Sequence, residues 1–216
     1  MPINGQGWEF LVQRLGLHEH QGQTRTYGTY QVFLNGRSTG LHGHVCECIG
    51  PGDNSQPATP ERKRRIEQGR YPLTTQFGQS YRSVGYSTDM AVPGMLRMPG
   101  VALVDTGNRT AILIHPGHPT PPGNPPYSWL SSIGCLNLTK AIGVEEDMEF
   151  WESRERVIAI LDSLRSFAPE AFVPAANTPI LNAFAVIDGE PMNVIPSGEI
   201  PMLVAETASS TASQSA

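Results

Sequence analysis

Cys135 and His115 are the residues whose types and spacing point most directly to chemistry. A thiolate attacks acyl carbons well, provided that a base takes its proton and donors hold the oxyanion that develops. Cys135 lies in Ser131-Ser132-Ile133-Gly134-Cys135-Leu136-Asn137. Glycine permits a tight turn that aims successive N–H groups at one point, and Ser131 and Ser132 add hydroxyl donors. His115 ends the apolar run Ala111 to Ile114, which reads as a buried strand, and twenty positions separate it from Cys135. Paired with the cysteine, it would depress the thiol pKa and give a thiolate–imidazolium couple. The competing reading is a small, inert cysteine packed in a turn.

These residues need a frame. Val101 to Val104 and Ala111 to Ile114 flank the turn residues Asp105-Thr106-Gly107-Asn108, and the pattern predicts a hairpin that delivers His115. Thr29 to Leu34, the turn Asn35-Gly36 and a return strand from about Gly40 to Cys48 predict a second hairpin. Arg70 to Phe77 reads as a strand with its proline near an edge. Residues 78–100 read as a structured surface wall, part of a groove. Trp8, Leu11, Val12 and Leu15 share one face at a 3.6-residue period and predict a short helix ended by Gly16, followed by a polar loop to Arg25. The clearest helix runs from about Met148 to Phe167, with Trp151, Val157, Ile158, Leu161 and Leu164 as its apolar stripe. Asp188-Gly189 reads as a hairpin turn between two apolar runs.

With 22 glycines and 19 prolines in 216 residues, the chain suits a β-rich fold better than a helix bundle. The expected fold class is mainly β, a sandwich- or barrel-like core with one long C-terminal helix. The expected division is a helical and loop extension over 1–26, a β-rich core over 27–140, a helix with short strands over 141–205 and a disordered tail over 206–216. Net charge is −5 and only 16% of residues are charged, which argues against a nucleic-acid partner. No apolar run reaches the roughly 18–20 residues of a membrane helix. The first ten residues lack the basic flank and apolar core of a secretory signal, so cytoplasmic synthesis without a cleaved signal is expected.

A metal site is a rival. His18, His20, His42, His44, Cys46 and Cys48 crowd the N-terminal part, and the last four alternate along one predicted strand. Zinc takes four such ligands in a tetrahedron, but alternate residues on a strand stand about 6.5–7 Å apart, and neither C-x2-C nor H-x3-H spacing occurs.

The string His115 … Ser132-Ile133-Gly134-Cys135-Leu136-Asn137 resembles the active-site signature of L,D-transpeptidase (YkuD-like) catalytic domains. Those are β-rich domains with a cysteine nucleophile that act on peptidoglycan stem peptides. His115 matches their first histidine, Ser132 the Ser/Thr, Gly134 the glycine, Cys135 the nucleophile, and Leu136 and Asn137 the last two positions. Gln68 to Leu73 is similar to their G-x-Y strand but lacks its leading proline. Ile133 replaces the motif's second histidine, and the histidine–cysteine gap is slightly longer than usual. The span Tyr27 to Asn137 also resembles a small family of phage and bacterial domains of unknown function, through Cys46-Glu47, Gly69-Arg70-Tyr71, Ile114-His115-Pro116-Gly117-His118 and Gly134-Cys135-Leu136.

The resemblance implies a set of roles. Cys135 is the nucleophile, His115 the base, and Gly134 and Ser132 belong to the oxyanion site. The carbonyl of Pro116 orients the imidazole. Tyr127, Trp129, Asn137, Ile133 and His118 face substrate, under a proline-rich lid over residues 116–126. No cofactor is implied. The implied partner is a peptidoglycan stem peptide, and an immunity protein or delivery machinery would suit a phage or effector role. Action would then take place in the periplasm or cell wall, after lysis or delivery by a secretion apparatus. Two other classes stay open: a peptidoglycan amidase or endopeptidase of Cys–His type, and a non-enzymatic structural, assembly or interaction module.

Overall fold

In a computed structural model the described residues are 2–20, 23–57, 59, 64–87, 97–117, 134–139 and 150–196. They form ten strands and one α-helix: β1 (Trp8–His20), β2 (Gln23–Leu34), β3 (Arg37–Glu47), β4 (Gly69–Thr75), β5 (Tyr81–Arg82), β6 (Met98–Pro99), β7 (Val101–Leu103), β8 (Leu113–Pro116), β9 (Leu136–Thr139), α1 (Phe150–Phe167) and β10 (Pro179–Asp188). The fold is mainly β with a single C-terminal helix, as the composition suggested. Eight strands close a barrel in the order β1-β10-β4-β7-β8-β9-β3-β2, and β5 and β6 form a small separate sheet. Two neighbouring pairs of the barrel are parallel, β1 with β10 and β8 with β9, and so is the β5–β6 pair. No helix among the described residues is long and apolar enough to cross a membrane.

The barrel interior follows from strand alternation. Phe10 and Val12 of β1, Val32 of β2, Val45 of β3, Leu73 of β4, Val101 of β7, Ile114 of β8, Leu136 and Leu138 of β9, and Ala183, Ala185 and Ile187 of β10 belong to one buried cluster. Val157, Ile160, Leu161 and Leu164 of α1 join the same cluster, and Trp8 Nε1 donates to Ser163 Oγ at 2.9 Å. The described part of the helix starts at Phe150 and ends at Phe167, where its apolar stripe predicted the end.

Three expectations are corrected. Residues 8–15 are strand, not helix. Trp8, Phe10 and Val12 are buried at a period of two, and β1 pairs with β2 on one side and β10 on the other. The positions that fit a helical stripe also contain this alternation, and pairing on both edges decides between them. The expected polar loop after Gly16 is likewise strand up to His20 and again from Gln23. Asp188-Gly189 makes no hairpin: β10 pairs with β1 and β4, while Leu17 of β1 exchanges backbone hydrogen bonds with Asn193 and Ile195.

Polar residues also enter the barrel wall. Arg14 of β1 meets Glu47 of β3 twice at 2.8 Å and Glu190 at 2.9 Å, and it donates to the Ile66 carbonyl at 2.7 Å. Arg14 and Glu47 are both buried. Burial opposes the guanidinium's charge, and the two carboxylates hold its pKa above the ordinary value. Removing one member of such a pair strands the other charge in the interior. Arg14→Met is therefore expected to lower the free energy of unfolding by about 3–5 kcal/mol. Urea denaturation checks this, and a loss below about 1 kcal/mol, the range of a surface pair, would contradict it.

Candidate active site

β8 and β9 lie side by side and parallel, with Ile114 opposite Leu136, His115 opposite Asn137 and Pro116 opposite Leu138. Ile114, Leu136 and Leu138 point into the barrel core. Alternation sends Leu113, His115, Cys135 and Asn137 to the other face, where Cys135 packs with Ala102, Leu113 and Tyr81 in a second cluster. The strand expected from Ala111 begins at Leu113, because Ala111 adopts a left-handed φ of 58°. Adjacent strands are about 4.8 Å apart and two residues span about 6.6 Å, so the Cα atoms of His115 and Cys135 are about 8 Å apart.

The imidazole of His115 is fully buried and held by main chain. Its Nδ1 lies 2.6 Å from the Pro116 carbonyl oxygen, which only accepts, so Nδ1 carries the proton. Nε2 is left as the basic nitrogen. The Asn137 amide Nδ2 donates to the Pro116 carbonyl at 3.0 Å and the His115 carbonyl at 3.2 Å, which sets its orientation. Its 3.2 Å approach to the protonated Nδ1 adds no hydrogen bond. The Tyr81 ring stands 4.4 Å from the imidazole, centroid to centroid. Burial, with Cys135 adding to it, pushes the Tyr81 phenol well above its ordinary pKa, so it stays a neutral group. Ser153 of α1 donates to the Leu138 carbonyl and accepts from the Gly117 N–H at 3.1 Å, tying the ends of β8 and β9 to the helix.

The Cys135 sulfur accepts from the Leu113 N–H at 3.3 Å and lies 3.5 Å from the Ala111 carbonyl. The first contact puts a backbone donor on the sulfur, and in the second the S–H donates to a carbonyl. Cys135 is 5% exposed, and it lines an open pocket of about 460 Å³. Gln76, Gln79, Ser80 and Tyr81 line that pocket together with Thr110 to Leu113. This arrangement places a thiol and a main-chain-oriented imidazole on the same face of the sheet, with a pocket at the thiol.

Cys135, His115, Gly134, Pro116 and Asn137 of the sequence-based set are thus brought together. Ser131, Ser132, Ile133, His118, Tyr127, Trp129 and the lid beyond Gly117 lie outside the described residues. Sequence reading missed Tyr81 as the aromatic contact, the Gln76–Tyr81 pocket wall and Arg109 beside Gly134. The wall was expected only in general terms, and Arg109 follows a turn with no apolar pattern to mark it.

The metal alternative is corrected. Among the described residues no group of three or more histidine, cysteine, aspartate or glutamate side chains is placed to hold an ion. His42 is exposed and turns Nδ1 to the Gly40 carbonyl at 3.0 Å. His44 Nδ1 is taken by the Tyr27 hydroxyl at 2.5 Å, and the two rings stack. Cys46 and Cys48 are buried thiols. Strand pairing supplies these side chains with neighbours that an isolated strand does not reveal.

Searches of protein-family models, curated proteins and solved structures found no match to this chain.

Two outcomes are expected. Gly134 has a φ of +134°, and a Cβ there would stand 2.5 Å from Arg109 Nη2 and 3.0 Å from the Arg64 carbonyl. Gly134→Ala should displace the turn and slow alkylation of Cys135 at least tenfold at neutral pH, measured by mass spectrometry of the labelled peptide. Unchanged labelling would contradict this geometry. Second, burial, aided by Arg156 and His42, lowers the His44 pKa from 6.5 to about 4. The unfolded chain therefore takes up that proton first, and the contribution is complete above about pH 6.5 and lost as pH falls toward 4. Unfolding midpoints should drop across that window, and less steeply in His44→Gln; parallel slopes would count against the assignment.

Proposed function

We propose that the chain is a cysteine-dependent acyl-transfer enzyme acting on peptidoglycan stem peptides, by L,D-transpeptidase exchange or crosslinking or as an L,D-carboxypeptidase. The observation that carries the chemistry is the His115 Nδ1–H bond to the Pro116 carbonyl, beside a pocket-lining Cys135. That bond leaves Nε2 as the basic nitrogen. The substrate class rests on the likeness of His115 and Ser132 to Asn137 to the L,D-transpeptidase signature.

In this mechanism the Cys135 proton passes to His115 Nε2. The thiolate forms a bond to the substrate carbonyl carbon, with the Gly134 and Cys135 N–H groups directed at the oxyanion. As the C–N bond breaks, the imidazolium protonates the leaving D-alanine amine. An acceptor amine or a water then attacks the thioester, gives its proton to His115 and releases the thiolate. Gln76, Gln79 and Ser80 line the same pocket as Cys135, and their amide and hydroxyl groups suit a peptide backbone. Such a substrate lies outside the cytoplasm, so the reading includes delivery by lysis or a secretion apparatus, and an immunity partner in the producing cell.

One observation favours the rival reading as a structural or assembly module: the sulfur is 5% exposed and held by two main-chain contacts, as a packed thiol would be. Digestion of purified muropeptides separates the readings. Product masses should show D-amino-acid exchange or D-alanine release, lost entirely in Cys135→Ala and reduced about 10²–10⁴-fold in His115→Gln. Internal amide cleavage would replace the transferase with an amidase, and intact muropeptides would leave the structural module.

A further inference from the structure

The strongest unassigned feature beside the candidate site is a buried cation. Arg109 follows the turn at Asp105–Asn108, and that turn is anchored to a second loop: Asn108 N–H donates to the Asn54 carbonyl at 2.8 Å and Asn108 Nδ2 to the Ser55 carbonyl at 2.7 Å. The Thr106 hydroxyl donates to the Arg109 carbonyl. The Arg109 side chain is 1% exposed. Its Nη1 donates to the Asp53 carbonyl at 3.1 Å and its Nη2 to the Arg64 carbonyl. Both acceptors are main-chain carbonyls, and they fix the guanidinium in place.

Its position relative to the nucleophile is set by Gly134. A Cβ on that residue would fall 2.5 Å from Nη2 and 3.3 Å from Cζ of Arg109, so the guanidinium packs onto the main chain one residue before Cys135. Burial lowers the Arg109 pKa, and electrostatic interaction with Cys48, Asp53 and Cys135, in that order, opposes the lowering. The Asp53 carboxylate is itself engaged by the Ser55 N–H at 2.8 Å and hydroxyl at 2.7 Å. Among the described residues, the titratable or charged groups near the Gly134–Cys135 turn include Arg109 and Asp53 from the loops, Arg64, Cys48 just after β3, Tyr81 of β5 and His115 of β8.

We propose that Arg109 is a positioning residue for the nucleophile: its guanidinium, pinned against Gly134, stabilises the thiolate form of Cys135. The proposal rests on reading Cys135 as the nucleophile. A cation held in a poorly solvated site acts on a neighbouring ionisation more strongly than one in water. The thiol of Cys135 loses a proton to His115 Nε2 or to solvent, and no oxidant or further reactant takes part. Arg109 touches neither substrate nor the sulfur's leaving proton. It also makes Gly134 necessary twice, for its backbone angle and for the space the guanidinium occupies.

The test is the pH profile of Cys135 alkylation by iodoacetamide, read at the Cys135 peptide by mass spectrometry so that Cys46 and Cys48 do not contribute. Native protein, Arg109→Gln and Arg109→Lys are compared after melting curves show that each is folded. Loss of the charge should raise the midpoint by about one pH unit and slow labelling at neutral pH up to about tenfold. The lysine variant should stay within a few tenths of a unit of the native midpoint. A glutamine profile that overlays the native one would overturn the proposal. So would a lysine variant that shifts as far as glutamine, because the effect would then come from lost hydrogen bonds and not from charge. Complete inertness of native Cys135 up to alkaline pH would also overturn it. Should the glutamine variant not fold, citrulline at position 109 keeps the shape, removes the charge and gives the same comparison. Labelling needs no peptidoglycan, so a midpoint shift alongside intact muropeptides would refute the acyl-transfer reading and leave this one standing.

Discussion

One hydrogen bond organises the site: the Nδ1–H of His115 to the carbonyl of Pro116. A proline at that position offers an acceptor and no competing N–H donor. The bond selects the tautomer and fixes the ring plane, and both follow from main chain that is part of β8. Asn137 then donates to the same carbonyl from the neighbouring strand, so the imidazole is oriented by two strands at once. Ser153 binds the ends of both strands to α1, and the helix is in turn seated by four buried apolar residues in the barrel core. Disturbance anywhere along this chain of contacts alters the direction of Nε2.

The barrel separates two environments that the site requires. Its interior is apolar where β7, β8 and β9 cross it, so the strands are rigid. Their outer face carries the polar and reactive side chains, and Tyr81 from the small second sheet covers part of that face. Parallel pairing of β8 and β9 sets His115 opposite Asn137 and leaves Cys135 one step before the strand, where Gly134 can take a φ of +134°. An antiparallel partner would run in the opposite direction and bring a different residue to that position. The wide separation in sequence between β8 and β9 is therefore a consequence of the geometry, since parallel neighbours need a long connection.

Much of this was legible in the residues. Asn35-Gly36 carries its own backbone preference and marked the β2–β3 turn. The helix stripe near the C-terminus is long enough to define a period, and Val101 to Ile114 read as a hairpin. Local signals failed where distant pairing decides. Trp8 to Leu15 satisfies two periodicities, and only the neighbours β2 and β10 favour the strand. The run of His42, His44, Cys46 and Cys48 looked like a ligand row because a lone strand hides its neighbours, and Tyr27 takes up His44. At the site, Cys135, His115, Gly134, Pro116 and Asn137 share a motif. Arg109, Tyr81 and the Gln76–Ser80 wall come from separate loops, and nothing in their spacing announces a common destination.

In the proposed mechanism the His115 imidazole and the Cys135 thiol ionise as one couple. Histidine ¹⁵N NMR tests it directly. His115 should show the Nδ1–H tautomer when neutral, and blocking Cys135 with a neutral alkyl group should lower the His115 titration midpoint, because the imidazolium loses its thiolate partner. A midpoint that ignores alkylation, or a ring protonated on Nε2 in its neutral form, would contradict the pairing.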